Sequence, residues 1–488
     1  MPECFLTTKT AEFLDAAMPP APPRFTVLLY PASETPRGSA NELPGTNVES
    51  IDLLIDARWV IPVQPSGSVL EHHSVAVRDG RILAVLPKAE AHAAYFALER
   101  VTLPEHALIP GLVNLHTHAS MALMRGFADD LTLTQWLQDR IWPAEARHVS
   151  PQFVYDGTLL ACAEMLRGGI TCFNEMYFYP AEAARAAVDM GMRAALGLVV
   201  IDAPTAYAAD ADDYVAKGLA LRDELREHRL LSFCMAPHAP YTVSDKTFSR
   251  LITLAEELDL PVHMHVHESE DEIRQSIAQH GVRPLERLHR LGMVGPGLIA
   301  VHAIHLTQDE IALLVQNGSS VAHCPSSNLK FANGFAPVAR LLLDGVNVGL
   351  GTDGSASNNR LDLFQEMRQA ALLAKAVSGD ARALPAHQAL TMATLAGARA
   401  LRLDHAIGSI EPGKFADLTA VDFNVPEMSP CYDPISHLVY AAGRENVSHV
   451  WVAGRLLVEN RQLNNKQKNR LENIGILWQN RLSMETRA

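Results

Sequence analysis

Two histidines at the end of an apolar run are the residues in this chain whose spacing first suggests chemistry. The Pro110-Gly111 pair interrupts the preceding structure, and residues 112–116 then have the pattern of a buried strand. His116 and His118 are two positions apart, so on a strand their side chains point to one side and can close on a small cation. An isolated pair of this kind usually has only a structural role, so the interpretation depends on ligands from elsewhere in the chain.

The segments that would position these ligands alternate between strand and helix patterns. Helical patterns occupy residues 153–167, 181–191, 246–258 and 309–317. The apolar, β-rich runs are residues 112–116, 169–175, 193–201, 231–236, 261–265, 298–302, 320–324 and 346–351. Eight such runs predict an α/β fold, a (β/α)8 TIM-type barrel, in which active sites lie at the carboxyl ends of the strands.

Strand patterns of another kind lie at both ends of the chain. Residues 75–85 alternate in polarity around Asp79-Gly80, a strong hairpin signal, and residues 418–421 and 450–458 are similar. We therefore predict a small β-sandwich domain formed by both chain ends. The predicted organisation is a flexible arm at 1–47, the β-sandwich at 48–111 plus 404–463, the catalytic barrel at 112–403 and an amphipathic C-terminal helix at 464–488.

Histidine or aspartate follows several of the eight predicted strands, as the barrel hypothesis requires. A catalytic zinc takes neutral imidazoles and a carboxylate and keeps one position open for water. His116, His118 and His265, with Asp353, meet that description. His263 and His267 share the strand parity of His265, so parity alone leaves this choice open.

Three of these polar residues suggest how a metal-activated water would react. Asp353 can bind the metal and accept a proton, and His302 can orient the water. Glu268 lies three residues beyond His265, past the strand, where a carboxyl group can exchange a proton with a substrate atom.

Composition limits the class of protein. The 488 residues are 48% hydrophobic and 20% charged, and the net charge of −14 argues against nucleic-acid or anionic-membrane partners. Six scattered cysteines without a C-x-x-C pair fit reduced thiols, and no segment has the pattern of a signal peptide or a bilayer span. We expect a cytoplasmic homo-oligomer that acts on a small molecule.

Several motifs together resemble the amidohydrolase superfamily, in particular its aminohydrolase branch, and most closely the 5'-methylthioadenosine/S-adenosylhomocysteine deaminases. The resemblance covers residues 51–463. It is carried by the segments Pro110-Gly-Leu-Val-Asn-Leu-His-Thr-His118, Trp142-Pro-Ala-Glu145, Ala236-Pro-His-Ala-Pro-Tyr241, His265-Val-His-Glu268, Cys324-Pro-Ser-Ser-Asn-Leu-Lys330 and Gly351-Thr-Asp-Gly-Ser-Ala-Ser-Asn-Asn359.

The resemblance implies roles for individual residues. The implied metal ligands are His116, His118, His265 and Asp353, and the implied cofactor is one Zn²⁺ per subunit, or another divalent metal. Substrate contacts are implied for Trp136 as an apolar wall, Glu145 on the ribose hydroxyls, His238, Glu268 beside the ring nitrogen, and Asp353.

The implied reaction is hydrolytic deamination of adenosine-type nucleosides to the inosine-type product and ammonia. Binuclear relatives carry a lysine at the end of strand 4, and its absence near His238 favours one metal. The zinc deaminases with P-C-x-x-C are excluded because that motif does not occur. The alternatives are a free-base deaminase, a triazine hydrolase, or a non-catalytic scaffold.

One segment departs from relatives that handle S-adenosylhomocysteine well. Those proteins can present arginines after strand 3, whereas this chain has Asp202, Asp210, Asp212 and Asp213 there. The carboxylates should repel the amino-acid tail of S-adenosylhomocysteine unless Arg125 or Arg140 compensates. We expect 5'-methylthioadenosine and adenosine to be preferred.

Overall fold

The computed structural model describes residues 48–464 and 467–483, without the side chains of residues 468, 469 and 483. The arm predicted at residues 1–47 lies outside the described residues. In chain order the described strands are Glu49–Val60 (β1), Leu70–Arg78 (β2), Arg81–Pro87 (β3), Tyr95–Pro110 (β4), Leu112–Thr117 (β5), Ile170–Glu175 (β6), Arg193–Val200 (β7), Leu231–Pro237 (β8), Val262–Val266 (β9), Leu298–His302 (β10), Ser320–His323 (β11), Asn347–Leu350 (β12), Leu418–Asp422 (β13), Val447–Val452 (β14), Arg455–Glu459 (β15) and Gln462–Leu463 (β16).

Strands β5 to β12 form a nearly closed parallel sheet in which each strand pairs with the next along the chain. Most of these strands are buried along their whole length, which explains their continuous apolar sequences. Where β12 meets β5, the Asp353 amide donates to the His116 carbonyl at 3.0 Å. The predicted (β/α)8 barrel is confirmed.

The remaining strands form one hydrogen-bonded sheet in the order β16-β15-β14-β13-β4-β1-β2-β3. The hairpin between β2 and β3 turns at Asp79 and Gly80, whose φ angles of 52° and 74° fit a tight hairpin turn. The pairing of β13 with β4 joins the two chain ends. The predicted β region built from both ends of the chain is therefore present as a single sheet.

Helices connect the barrel strands and cover them. The α-helices are Lys88–Ala94, Leu133–Gln135, Trp142–His148, Pro151–Arg167, Pro180–Met190, Ala211–Leu225, Asp245–Glu257, Glu270–His280, Pro284–Leu291, Gln308–Gln316, Pro325–Lys330, Val338–Leu343, Ser355–Asn358, Leu363–Ser378, Ala386–Met392, Leu395–Ala400, Pro434–Tyr440 and Lys468–Ser483. Short 3-10 turns occur at Ala119–Met124, Pro426–Met428 and Arg444–Asn446, and Trp136–Ile141 is a π-helix. Within the described residues, no helix has the length and apolar character needed to cross a bilayer.

The C-terminal helix Lys468–Ser483 packs against the barrel helix Pro151–Arg167. Trp478 lies edge-on to Phe153, with ring centroids 5.1 Å apart, and its indole N–H donates to Asp156 at 3.1 Å. The C-terminal helix thus covers part of the outside of the barrel.

Candidate active site

The carboxyl ends of the barrel strands bring together four histidines and an aspartate, which we call the histidine–aspartate cluster. The members are His116, His118, His265, His302 and Asp353. The Nε2 atoms of His116 and His118 each lie 3.4 Å from Asp353 Oδ1, and His265 Nε2 lies 3.2 Å from His116 Nε2.

Backbone carbonyls fix two of these imidazoles in one tautomer. His118 Nδ1 lies 2.6 Å from the Met176 carbonyl oxygen, and His265 Nδ1 lies 2.7 Å from the His238 carbonyl oxygen. A carbonyl can only accept, so each Nδ1 carries the proton and each Nε2 presents a lone pair to the cluster. For His118 that lone pair faces a carboxylate oxygen, an arrangement that a cation between the two atoms would stabilise.

The geometry of the cluster fits a zinc ion. Ligands about 2.0–2.1 Å from zinc in a tetrahedral arrangement lie about 3.3 Å from one another. The separations of 3.2 and 3.4 Å match this value. Candidate ligand atoms fall into two overlapping groups that share His116, within 4.8 Å of one another: one with His265 and His302, the other with His118 and Asp353.

The charge states of the cluster suit metal binding. Burial lowers the pKa of His116 to about 4 and the pKa of His265 well below its ordinary value, which keeps both imidazoles neutral at pH 7. Burial alone would raise the pKa of Asp353, but the neighbouring histidines hold it well below its usual range. Neutral imidazoles and an ionised carboxylate are the forms that bind zinc.

The three histidines that share parity on β9 have different surroundings. His263 is fully buried, and its Nε2 lies 2.9 Å from His116 Nδ1. This hydrogen bond orients the His116 ring in the cluster. His267 follows the end of β9 with a φ of 56°, and its ring accepts from the Leu285 amide. Strand parity therefore fails at His267 because the backbone has already turned, and only His265 points into the cluster.

Glu268 lies beside the cluster, with one carboxylate oxygen 3.6 Å from His302 Nε2. Burial raises the pKa of Glu268 above its ordinary value. Burial would lower the pKa of His302, but the nearby carboxylates of Glu268 and Asp353 raise it. The Glu272 carboxylate accepts from the amides of His267 and Glu268 at 2.9 and 2.8 Å, which fixes the backbone that carries Glu268.

An apolar cavity of about 650 Å³ adjoins the cluster. This volume accommodates a small-molecule ligand of nucleoside size. Three predicted substrate contacts, Trp136, Glu145 and His238, lie in its wall together with the cluster residue His118. The helical segment from Leu133 to His148, including the π-helix, supplies one side of the cavity.

Glu145 is the only carboxylate among the described residues that line the cavity. Burial raises the pKa of Glu145 to about 7, and a hydrogen bond from the Tyr177 hydroxyl opposes that shift. The hydroxyl oxygen lies 2.6 Å from Glu145 Oε1. A single carboxylate therefore lies in a largely apolar wall.

The segment after β7 lines the cavity through residues 203–207, but none of its four aspartates is among the lining residues. The Asp202 carboxylate accepts from the Ser244 amide and the Thr247 hydroxyl. Asp212 pairs with Arg250, and neither aspartate lines the cavity. Repulsion of the S-adenosylhomocysteine tail by these carboxylates would therefore have to act without direct contact, and the expected preference against this substrate stays a prediction.

Arg125 and Arg140, the arginines proposed as compensating groups, do not line the cavity either. Arg125 pairs with Glu164. No arginine or lysine occurs among the described residues of the cavity lining. The described lining thus offers no arginine or lysine to a carboxylate tail.

Sequence reasoning missed several residues that support the site. Tyr177 follows β6 by two residues, and the aromatic run after that strand was its only signal. Asn328 accepts from His302 Nδ1 at 2.8 Å, and the Ser327 hydroxyl donates to Asp353 at 2.7 Å. Both lie in the segment that resembles the family, but their partners are distant in the chain.

Comparisons with known proteins cover most of the chain. The model of the Amidohydrolase family matches residues 107–457. A 5-methylthioadenosine/S-adenosylhomocysteine deaminase from Saccharophagus degradans is 46% identical over 434 residues, which are 89% of this chain and 97% of the relative. A 5'-deoxyadenosine deaminase from Methanothermobacter thermautotrophicus is 45% identical over 368 residues, which are 73% of this chain and 83% of the relative.

Solved structures agree with these matches. The crystal structure of an adenosine deaminase from Xanthomonas campestris with bound zinc superposes with a TM-score of 0.88 at 51% identity, covering 89% of this chain and 99% of that one. An atrazine chlorohydrolase from Arthrobacter aurescens superposes with a TM-score of 0.81 at 23% identity, covering 87% of this chain and 99% of that one. The second likeness concerns the fold alone.

Proposed function

The chain belongs to the amidohydrolase family, and on that premise we propose that it is a zinc-dependent hydrolytic deaminase of adenosine-type nucleosides. The observation that carries the proposal is the position of the histidine–aspartate cluster beside an apolar cavity with one carboxylate. The relatives named as deaminases of adenosine derivatives support the substrate class.

We propose that His116, His118, His265 and Asp353 hold a single Zn²⁺. Their mutual distances, the neutral imidazoles and the two carbonyl-oriented rings support this assignment. The chemistry that zinc supplies when bound is activation of a water molecule near neutral pH.

The remaining polar groups supply proton transfers in this proposal. His302 orients the water, and Asp353 accepts a proton from it as its oxygen adds to C6 of the adenine ring. Glu268 delivers a proton to N1, and burial, which raises its pKa, favours the protonated form more than in an exposed glutamate. The Asp353 carboxyl returns its proton to the C6 amino group, and the new C6 hydroxyl gives its proton to the Glu268 carboxylate. Ammonia then leaves C6, which gives the inosine-type product and restores both carboxyl groups.

The nucleoside is held by the cavity wall. Trp136 is a buried apolar surface for the substrate, and His238 lies next to His265 with ring centroids 4.9 Å apart, where it can contact the reacting base. Glu145 accepts from the vicinal hydroxyl groups of ribose, because a carboxylate offers two oxygens to two donors.

An ammonia-release screen of the purified, zinc-loaded protein tests this function. The substrates are adenosine, 5'-methylthioadenosine, S-adenosylhomocysteine, guanine and cytosine. We expect turnover of the adenosine derivatives only. Turnover of guanine alone would replace the nucleoside assignment by the free-base one, and no turnover together with no bound zinc would favour a scaffold.

Cytoplasmic residence and a homo-oligomeric state also belong to this proposal. Five cysteines in the described residues are free, four of them buried, which fits a reducing compartment. Light scattering of the purified protein measures its mass directly, and a monomeric mass would contradict the oligomer.

A further inference from the structure

The proposed chemistry assigns no role to the hydrogen bond between Tyr177 and the cavity carboxylate, Glu145. Tyr177 is only 5% exposed, lines the cavity and donates its hydroxyl to Glu145. Across residues 48–464 and 467–483, this hydroxyl is the one hydrogen-bond donor to the Glu145 carboxylate. The neighbouring residue, Met176, provides the carbonyl that orients His118. Two consecutive residues after β6 thus anchor the cluster and the carboxylate.

We propose that Tyr177 is a positioning residue that holds Glu145 for a vicinal diol and thereby sets the preference for ribonucleosides over 2'-deoxyribonucleosides. The inference rests on the proposed function and deepens it. Tyr177 occupies one lone pair of Oε1, which leaves Oε2 and the other lone pair of Oε1 for two substrate hydroxyls.

The physical basis is conformational entropy. A flexible carboxylate in a largely apolar wall must be ordered before it can accept hydrogen bonds from the substrate. A glutamate side chain has three rotatable bonds, and a fixed donor on one oxygen removes much of that freedom before the substrate arrives. Burial raises the pKa of the Tyr177 hydroxyl well above its ordinary value, an effect that Glu145 reinforces, so it remains a donor at every working pH.

Selectivity measurements on variants test the inference. The quantity is the ratio of kcat/KM for adenosine to kcat/KM for 2'-deoxyadenosine, by ammonia release. We expect the wild type to prefer adenosine at least tenfold, since the deoxy substrate leaves a buried carboxylate without one donor. In Tyr177→Phe the ratio should fall about five- to tenfold, mainly through a higher KM for adenosine.

A double-mutant cycle separates positioning from general damage. In the Glu145→Gln background, adding Tyr177→Phe should change the ratio by less than about twofold. The matched control is Tyr155→Phe, which removes another tyrosine–carboxylate hydrogen bond, to Asp189, away from the cavity lining. This control should leave the ratio unchanged.

The pH dependence of KM gives a second readout. The pKa of Glu145 is about 7 and the tyrosine hydrogen bond lowers it, so KM for adenosine should rise as pH falls through that value. In Tyr177→Phe the rise should begin at a higher pH. The other titratable groups facing this carboxylate are Tyr214, His118 and His238.

The outcomes distinguish a failure of the positioning role of Tyr177 from a failure of the proposed deaminase function. Equal losses of kcat/KM for both nucleosides in Tyr177→Phe, or an unshifted pH profile, would overturn the positioning role while the deaminase remains. Failure of the wild type to release ammonia from either nucleoside would overturn the proposed function, and the inference with it.

Discussion

The histidine–aspartate cluster and the adjoining cavity differ in how many hydrogen bonds hold their polar side chains. In the cluster, His118, His265 and Asp353 each make a second hydrogen bond to a carbonyl or a hydroxyl. In the cavity, most of the wall is apolar, and the described part of the chain offers the Glu145 carboxylate one hydrogen-bond donor, Tyr177. The cluster is fixed by many contacts, whereas recognition in the cavity depends on very few.

This difference predicts how each region responds to substitution. Loss of one member of the cluster leaves buried polar partners unsatisfied and disturbs metal binding, which is a large effect. Changes to the cavity should alter the choice of substrate more than the chemical step.

Asp353→Asn should have the largest effect. An amide neither carries the charge nor accepts the proton, so we expect zinc content to fall and kcat/KM to drop by more than about a thousandfold. Metal analysis and ammonia release measure both. Asp202→Asn, an aspartate after another barrel strand but outside the cluster, is the control. A variant that keeps zinc and near-normal turnover would remove Asp353 from both roles.

Glu268→Gln should lower kcat by about a hundredfold to ten-thousandfold with zinc content unchanged, since general acid–base catalysis contributes effects of that size. Glutamine keeps the shape of the side chain but cannot deliver the proton to N1. Glu270→Gln, on the exposed first turn of the next helix, is the matched control. Loss of zinc in Glu268→Gln would show that Glu268 is itself a ligand.

His263→Leu should weaken zinc binding by about ten- to a hundredfold, the usual cost of losing the partner of a ligating histidine. His116 Nδ1 would lose the acceptor that keeps its Nε2 free for the metal. His263→Gln restores an acceptor atom and should retain more affinity than the leucine variant. Equal dissociation constants, measured by competition with a chelator, would contradict this role.

The barrel was predictable because strands that are buried on both faces have continuous apolar sequences. The polar candidate residues lie at the carboxyl ends of those sequences. His116 and His302 needed only this rule, whereas the choice of His265 over His263 and His267 also needed the resemblance to the family. The rule failed at His267, where a positive φ turns the chain out of strand parity.

The cavity was less predictable because its wall is assembled from separate elements. Tyr177 and Glu145 are 32 positions apart, and no periodicity connects them. The side-chain directions of the aspartates after β7 were unpredictable for the same reason. Sequence gives the charge of Asp202 but not its hydrogen bonds to Ser244 and Thr247, which turn it away from the cavity.

The smallest predicted effect concerns the substrate tail. We expect 5'-methylthioadenosine and adenosine to exceed S-adenosylhomocysteine in kcat/KM by about tenfold, because the described cavity lining offers no cation for a carboxylate. Since the aspartates after β7 are directed elsewhere, Asp212→Asn should leave this ratio unchanged, whereas repulsion would make the ratio fall. Equal or better turnover of S-adenosylhomocysteine would mean that the amino-acid tail extends into solvent. The small number of polar groups in the cavity would then not determine which 5' substituent the protein accepts.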